Sequence, residues 1–187
     1  MIIVIEGLDG AGKGTQIELL KNKFSDLPAF KYPTGNYSML NDYLEKKVSI
    51  DPKSLFLLFL ADIAGDQEKV AEASKRYKHI VLDRYVFSTI AYECGGIDYA
   101  DGKKIVEGVG YQKPDLVILL DIDGKMAQER KKKQKDLDRY EENVKYLDEV
   151  RANFLKLYEE RFLTPNWYKI DARKSIELVH AEIMKLL

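Results

Sequence analysis

The stretch MIIVIEGLDGAGKGTQ, residues 1–16, decides the architecture. Residues 2–6 form an unbroken apolar, β-branched run closed by Glu6, the pattern of a strand buried on both faces. Behind it comes Gly7-x-x-x-x-Gly12-Lys13, the frame of a phosphate-binding loop. A chain that leaves a strand, aims its backbone amides at a di- or triphosphate and then enters a helix needs glycine, for dihedral freedom and for close approach. The helix that follows turns its positive end toward the phosphates. Lys13 adds a point charge near the β- and γ-positions.

Working outward, four more short apolar or aromatic runs recur at 29–33, 79–83, 116–122 and 167–171. Helical patterns lie between them, at about 13–24, 37–47, 52–75, 86–110 in two pieces, 124–133, 140–162 and 174–187. Strands alternating with helices predict a parallel sheet covered on both faces. The expected fold is therefore α/β, three layers of helix, sheet and helix around a five-stranded parallel sheet, of the P-loop nucleotide-hydrolase type. Ligands in such sheets sit beyond the carboxyl ends of the strands, which here read Glu6, Pro33, Asp83 and Asp121. With no repeat, low-complexity tract or linker, residues 1–187 are expected to form one domain.

The bulk numbers exclude several classes. Apolar content of 45% and charged content of 33% are those of a soluble globular chain, so disorder is not expected. A net charge of −1 lacks the basic excess of a nucleic-acid binder. The single cysteine, Cys94, rules out an internal disulfide and suits a reducing compartment. The longest apolar run, LFLLFLA at 55–61, is too short to cross a bilayer, and no cationic leader precedes the first strand. A cytoplasmic protein with no membrane partner is expected.

Two further stretches bear on the chemistry. VLDRYVFSTIAYE, 81–93, places Asp83 and Arg84 at the end of a buried strand, with Ser88 and Tyr92 at i and i+4 on the following helix. A salt-bridged strand end is the plain reading. The alternative is a phosphate site, since arginine holds a phosphate bidentately and a strand-end aspartate positions magnesium or its waters. ERKKKQKDLDRYE, 129–141, reads either as a solvated basic face or as a lid whose cations arrive on closure and exclude water. A GTPase is not expected: DIDG at 121–124 fits one of its signatures, but NKFSD at 22–26 has its aspartate one place late for the guanine reader and lies on the wrong element.

With these pieces assembled, the chain resembles thymidylate kinase over nearly its whole length. The carriers are EGLDGAGKGTQ (6–16), LLFLADIA (57–64), DRYVFSTIAYE (83–93), DLDRYE (136–141) followed by YLDEVRANFLKL (146–157), and IDARKSIELVHAEI (170–183), in that order. GKGTQ is also shared with nucleotide kinases of the adenylate kinase type, where Gly14 stands at the usual hydroxyl position and Thr15 supplies the hydroxyl near magnesium. The resemblance implies transfer from ATP to thymidine monophosphate, with Mg2+, in a homodimer. It implies that Gly7, Leu8, Asp9, Gly10, Ala11, Gly12, Lys13, Gly14 and Thr15 cradle ATP, with Asp9 facing the acceptor nucleotide or the metal. It implies that Arg130 approaches adenine or the lid phosphates and that Ala172 and Arg173 of the 171–175 turn border the adenine. Asp83 joins Thr15 at the metal. On the acceptor side it implies Arg84 and Ser88 near the phosphate, Phe59 stacked on thymine, Thr89 at the base edge, Tyr92 beneath the deoxyribose, and Tyr32 and Pro33 in the loop touching the acceptor phosphate. The homodimer is expected through the apolar helices around 54–64 and 86–92, which fit burial within one subunit equally well.

Two positions depart from the resemblance. Ile63 stands where the family carries an arginine on the thymine carbonyl, so another group or a water must supply that donor. Methyl contacts alone discriminate by roughly 10- to 200-fold. Gly10 stands where some members carry an arginine, which moves the catalytic cation to the lid, with Arg130 and Arg139 as candidates. Other readings are a monophosphate kinase with another base preference, a nucleoside kinase, which needs a carboxylate base, and a nucleotide-binding protein without turnover. Mere ATP binding requires neither Asp83 nor Arg84 nor a basic lid.

Overall fold

The computed structural model describes residues 1–92, 96–133 and 143–187. Its elements run β1 (Ile2–Glu6), α1 (Lys13–Lys23), β2 (Ala29–Lys31), α2 (Ser38–Leu44), α3 (Pro52–Ala64), α4 (Gln67–Arg76), β3 (Ile80–Asp83), α5 (Val86–Tyr92), α6 (Tyr99–Val109), β4 (Leu116–Asp121), α7 (Gly124–Lys132), α8 (Val144–Glu159), β5 (Trp167–Asp171) and α9 (Ile176–Met184). Among the described residues the strands form one five-stranded sheet in the order β2-β3-β1-β4-β5, all neighbours parallel. The α/β P-loop architecture read from the sequence is the one observed.

The three central strands are the continuously apolar ones, and β1 is buried at every position. Burying such a side chain contributes about 1.5–3 kcal/mol, so the centre of the sheet is where the fold is most strongly specified. The registers Ile5↔Asp83, Glu6↔Leu119 and Asp121↔Asp171 bring the charged strand ends to one edge. Because β1 lies between β3 and β4, the loop leaving it opens at the centre of that edge.

Side-chain caps start most of the longer helices: Asp51, Asp98, Asp123, Asn143 and Ser175 each accept from a first-turn amide. Helix α1 starts instead from Gly12, with no side-chain cap bond. Its first-turn amides are thereby left for an anion.

The single helix expected over 52–75 is two. Helix α3 ends at Gly65, and α4 starts after Asp66. Gln67 secures the break: its Nε2 donates to Ile63 O at 3.0 Å, and its Oε1 accepts from Tyr85 Oη at 2.9 Å and Gln112 N at 2.8 Å. The second strand stops at Lys31 rather than at 33, since Pro33 has no amide to continue the ladder. Helix α5 is buried at every position within this chain, so of the two helices expected to serve an interface it is consumed by the core. Helix α3 keeps Leu57 half exposed.

Candidate active site

The loop after β1 is shaped by close packing. Gly7 has φ 140° and Gly10 φ 85°. A Cβ on Gly7 would lie 2.5 Å from Leu120 O, and one on Gly10 would lie 2.7 Å from Ala127 O. The carbonyl of α7 thus sits against the loop at Gly10, and a side chain there has no room. Leu8 and Ala11 point into the core. Lys13 Nζ donates to Gly7 O at 2.8 Å and Leu8 O at 2.9 Å, curling back over the loop. Burial lowers its ammonium pKa and Arg84 lowers it further, against Asp9, Asp83 and Glu6. Gly14 and Thr15 are exposed in the first turn of α1.

Arg130 ties this loop to the far edge of the sheet. Its Nη2 donates to Ala172 O at 3.0 Å and its Nη1 to Gly10 O at 3.4 Å. Ala172 N donates to Asp121 O, and Arg173 forks onto Asp171 with two bonds of 2.8 Å. The 171–175 turn is therefore linked to the phosphate loop through Arg130.

Across the strand ends lies a cavity of about 320 Å³. Asp9, Tyr32, Pro33, Phe59, Ile63, Arg84, Ser88, Thr89 and Tyr92, drawn from separate stretches of sequence, all line it. Arg84 is its charged centre. It adopts φ 67°, a left-handed conformation that costs a non-glycine residue about 1–2 kcal/mol and that clusters at functional sites. Its amide is held on Ile5 O at 3.1 Å. Its Nη2 meets Asp9 Oδ1 at 2.6 Å, its Nη1 donates to Ser88 Oγ at 3.1 Å, and its Cζ lies 5.4 Å from the Tyr92 ring centroid. Burial works against the Asp9 carboxylate, yet Arg84, Lys13 and Lys131 outweigh it and hold that carboxyl well below the usual range. Burial likewise opposes the Arg84 charge, and Asp9, Tyr92, Glu6 and Asp83 together outweigh it.

Asp83 stands at the end of β3 with a buried Oδ1 that has no hydrogen-bond partner among the described residues. A buried carboxylate oxygen left in this way is costly unless something cationic or protic meets it. Of the lid stretch, 129–133 is described; Arg139 lies outside the described residues.

Sequence reasoning missed several participants. Lys131 lines the cavity, with Nζ 3.8 Å from Asp9 Oδ1, and was hidden in a run of similar lysines. Asp62 accepts from Thr34 N at 2.7 Å and from Thr34 Oγ1, pinning the loop after β2 to α3. Its signal was an acid inside the apolar run LFLLFLADIA. Glu6, fully buried, accepts from Tyr85 N, Ser88 N and Ser88 Oγ. Burial pushes its carboxyl well above the usual range, opposed by the Ser88 hydrogen bond and by Arg84 and Lys13. A larger, more open groove of about 770 Å³ runs past Lys53, Asp98, Asp101 and Lys104, none of them at the strand ends.

The family model described as thymidylate kinase matches residues 5–183. The chain is 34% identical to the thymidylate kinase of Schizosaccharomyces pombe, over 100% of this chain and 90% of that protein. It is 35% identical to the probable thymidylate kinase of Methanocaldococcus jannaschii, over 100% of this chain and 95% of that protein. A solved thymidylate kinase structure from Candida albicans is similar with a TM-score of 0.82 at 26% identity, over 99% of this chain and 89% of that one.

Proposed function

The chain belongs to the thymidylate kinase family, nucleoside monophosphate kinases that take ATP as phosphate donor, and we propose how its own residues carry the transfer to thymidine monophosphate. One observation carries the reading: Asp9 of the glycine loop is ion-paired to Arg84 beyond β3 at 2.6 Å. A donor held by that loop and an acceptor held by that arginine are thereby brought end to end.

Residues 7–15 hold the ATP phosphates, with the open amides of α1 and the Lys13 ammonium as the positive field. Arg130, Ala172 and Arg173 border the adenine. In the cavity Arg84 takes the acceptor phosphate, Phe59 stacks on the base, Thr89 meets the base edge, and Tyr92 packs beneath the sugar. Tyr32 and Pro33 close the phosphate end, with Asp62 holding their loop through Thr34. Ile63 offers the base only hydrocarbon, so hydroxyls and water carry its polar recognition.

An oxygen of the acceptor phosphate attacks the γ-phosphorus in line. The new P–O bond forms as the bond to the β,γ-bridging oxygen breaks, and ADP leaves with that electron pair. The attacking phosphate is largely deprotonated near neutral pH, its second pKa being about 6, so no general base is required. Catalysis is positioning and charge neutralisation. Magnesium fits the residues present: the orphaned Asp83 oxygen and the exposed Thr15 hydroxyl are hard oxygen donors of the kind it takes. Bound there, it supplies further neutralisation of the phosphate charge.

We further propose that residues 129–141 act as a basic lid, of which Lys131 already reaches Asp9, and that the 187 residues work as one domain. Pairing of two chains through α3, where Leu57 is 51% exposed, is the proposed dimer. No described helix is long and apolar enough to cross a membrane, and a cytoplasmic location is proposed. A coupled ADP-release assay over dTMP, dUMP, dCMP, dAMP and thymidine tests the reading. The expected result is the highest kcat/KM for dTMP and no turnover of thymidine. A tenfold preference for another acceptor overturns it.

A further inference from the structure

Glu6 is the last residue of β1, 0% exposed, and takes no direct part in the transfer described above. Its bonds nonetheless lead to the centre of the acceptor site. Oε1 accepts from Tyr85 N at 2.8 Å and Ser88 N at 3.3 Å, and Oε2 accepts from Ser88 Oγ at 2.7 Å. Ser88 Oγ accepts in turn from Arg84 Nη1 at 3.1 Å, while Arg84 Nη2 meets Asp9 at 2.6 Å.

A serine hydroxyl has one proton and two lone pairs. While that proton goes inward to the Glu6 carboxylate, the lone pairs are left for the guanidinium. Burial raises the Glu6 carboxyl well above the usual range, and the Ser88 hydrogen bond, Arg84 and Lys13 oppose this, favouring the ionised form that this polarity needs. The guanidinium is planar and rigid, so anchoring both Nη groups sets the plane in which it presents its remaining donors. Its backbone, at φ 67°, is held by the same strand, through Ile5 O.

We propose that Glu6 is a positioning residue for the acceptor phosphate: through Ser88 it fixes the orientation of the Arg84 guanidinium. The residue that opens the donor-phosphate loop thus also sets the grip on the acceptor. This rests on the acceptor role of Arg84 given above. A residue that merely glued β1 to the 84–88 turn would affect both nucleotides alike, whereas the relay concerns one.

Glu6→Gln is the discriminating variant. The amide oxygen still serves Tyr85 N, but the amide NH2 now donates to Ser88 Oγ, so the hydroxyl proton loses its acceptor and the arginine N–H shares the oxygen with a second donor. The expected result is an acceptor KM raised at least fivefold and a kcat lowered at least tenfold, with the ATP KM within twofold of wild type. Ser88→Ala, which cuts the same relay, is expected to match it. Ser88→Thr keeps the hydroxyl and is expected to stay within threefold of wild type. The Glu6→Gln/Ser88→Ala pair is expected to be no worse than the poorer single variant, since both remove one coupling. Acceptor KM and kcat within twofold in Glu6→Gln overturn the proposal. So does an equal rise in both KM values, or strict additivity in the pair. If Glu6→Gln does not fold, the Ser88→Ala and Ser88→Thr pair decides by the same criteria. Wild-type turnover of dTMP, measured alongside, separates the two readings: its absence sinks the functional assignment, and the relay is then judged by calorimetric dTMP affinity of the same variants.

Discussion

One unbroken stretch, residues 7–15, makes the phosphate loop, whereas the cavity opposite draws Tyr32 and Pro33 from the exit of β2, Phe59, Asp62 and Ile63 from α3, Arg84 and Tyr85 from the exit of β3, and Ser88, Thr89 and Tyr92 from α5. The loop grips with backbone amides and one lysine, held by local bonds such as Lys13 Nζ to Gly7 O. The cavity grips with side chains whose places depend on partners far along the chain: Asp62 on Thr34, Arg84 on Asp9, Ser88 on Glu6. The difference teaches that two halves of one reaction are specified at different ranges. A phosphate is recognised wherever amides converge, which a short sequence arranges alone. A base and sugar need a shaped wall, which only packed elements provide.

Four measurements sharpen or break that contrast. Lys13→Ala removes the one side-chain cation of the loop and is expected to lower kcat by about 100- to 1,000-fold, the loss typical of one preorganised electrostatic contact. The melting temperature should change little, and turnover within threefold of wild type would take Lys13 out of the mechanism. Gly10→Ala tests whether the loop is as self-contained as it looks. Its Cβ meets the Ala127 carbonyl at φ 85°, so stability is expected to fall by about 2 kcal/mol and Tm by about 4–8 °C. An unchanged Tm would mean that α7 gives way freely.

Asp62→Asn probes the cavity's dependence on distant partners. It keeps one of the two acceptors offered to Thr34, costing about 1 kcal/mol, or about fivefold in the KM for dTMP, with the KM for ATP unaffected. Equal effects on both nucleotides would show that the two regions are not independently held.

The smallest effect is expected away from both, at His79 before the opposite end of β3. Its ring is buried against Phe24, and neither nitrogen has a partner among the described residues. Burial, helped by Lys78 and the amino terminus, lowers its pKa below the usual 6.5. The unfolded chain therefore takes up the proton first, and stability is lost as pH falls below about 6.5, until the folded ring protonates too. His79→Leu should show a smaller Tm loss than wild type between pH 7.5 and 5.5. The same loss in both would clear His79 of any part in acid sensitivity.

Legibility followed the same division. The central strands, the glycine loop and Lys13 were readable because apolar runs and glycine spacing act within a few residues. The cavity residues were named through resemblance, and their convergence needed the structure. Asp62 stood out as an acid inside an apolar run and Glu6 as an acid ending one, but nothing nearby in sequence gave their partners. Lys131 and Lys132 look alike in sequence; one reaches Asp9 and the other turns to Gln128. The break at Gly65 was unread because a lone glycine in a helical pattern is tolerated as often as it ends one.

By itself, then, the order of residues determined that a buried strand would turn through glycine into an uncapped helix and hold an anion there, since steric limits and helix polarity operate over one or two turns. Only the tertiary structure decided which side chains face that anion. Glu6 and Ser88 are 82 positions apart, and Thr34 and Asp62 are 28 apart. Pairs like these meet through parallel registers and helix packing, and those are settled by the burial of the whole sheet rather than by any local pattern.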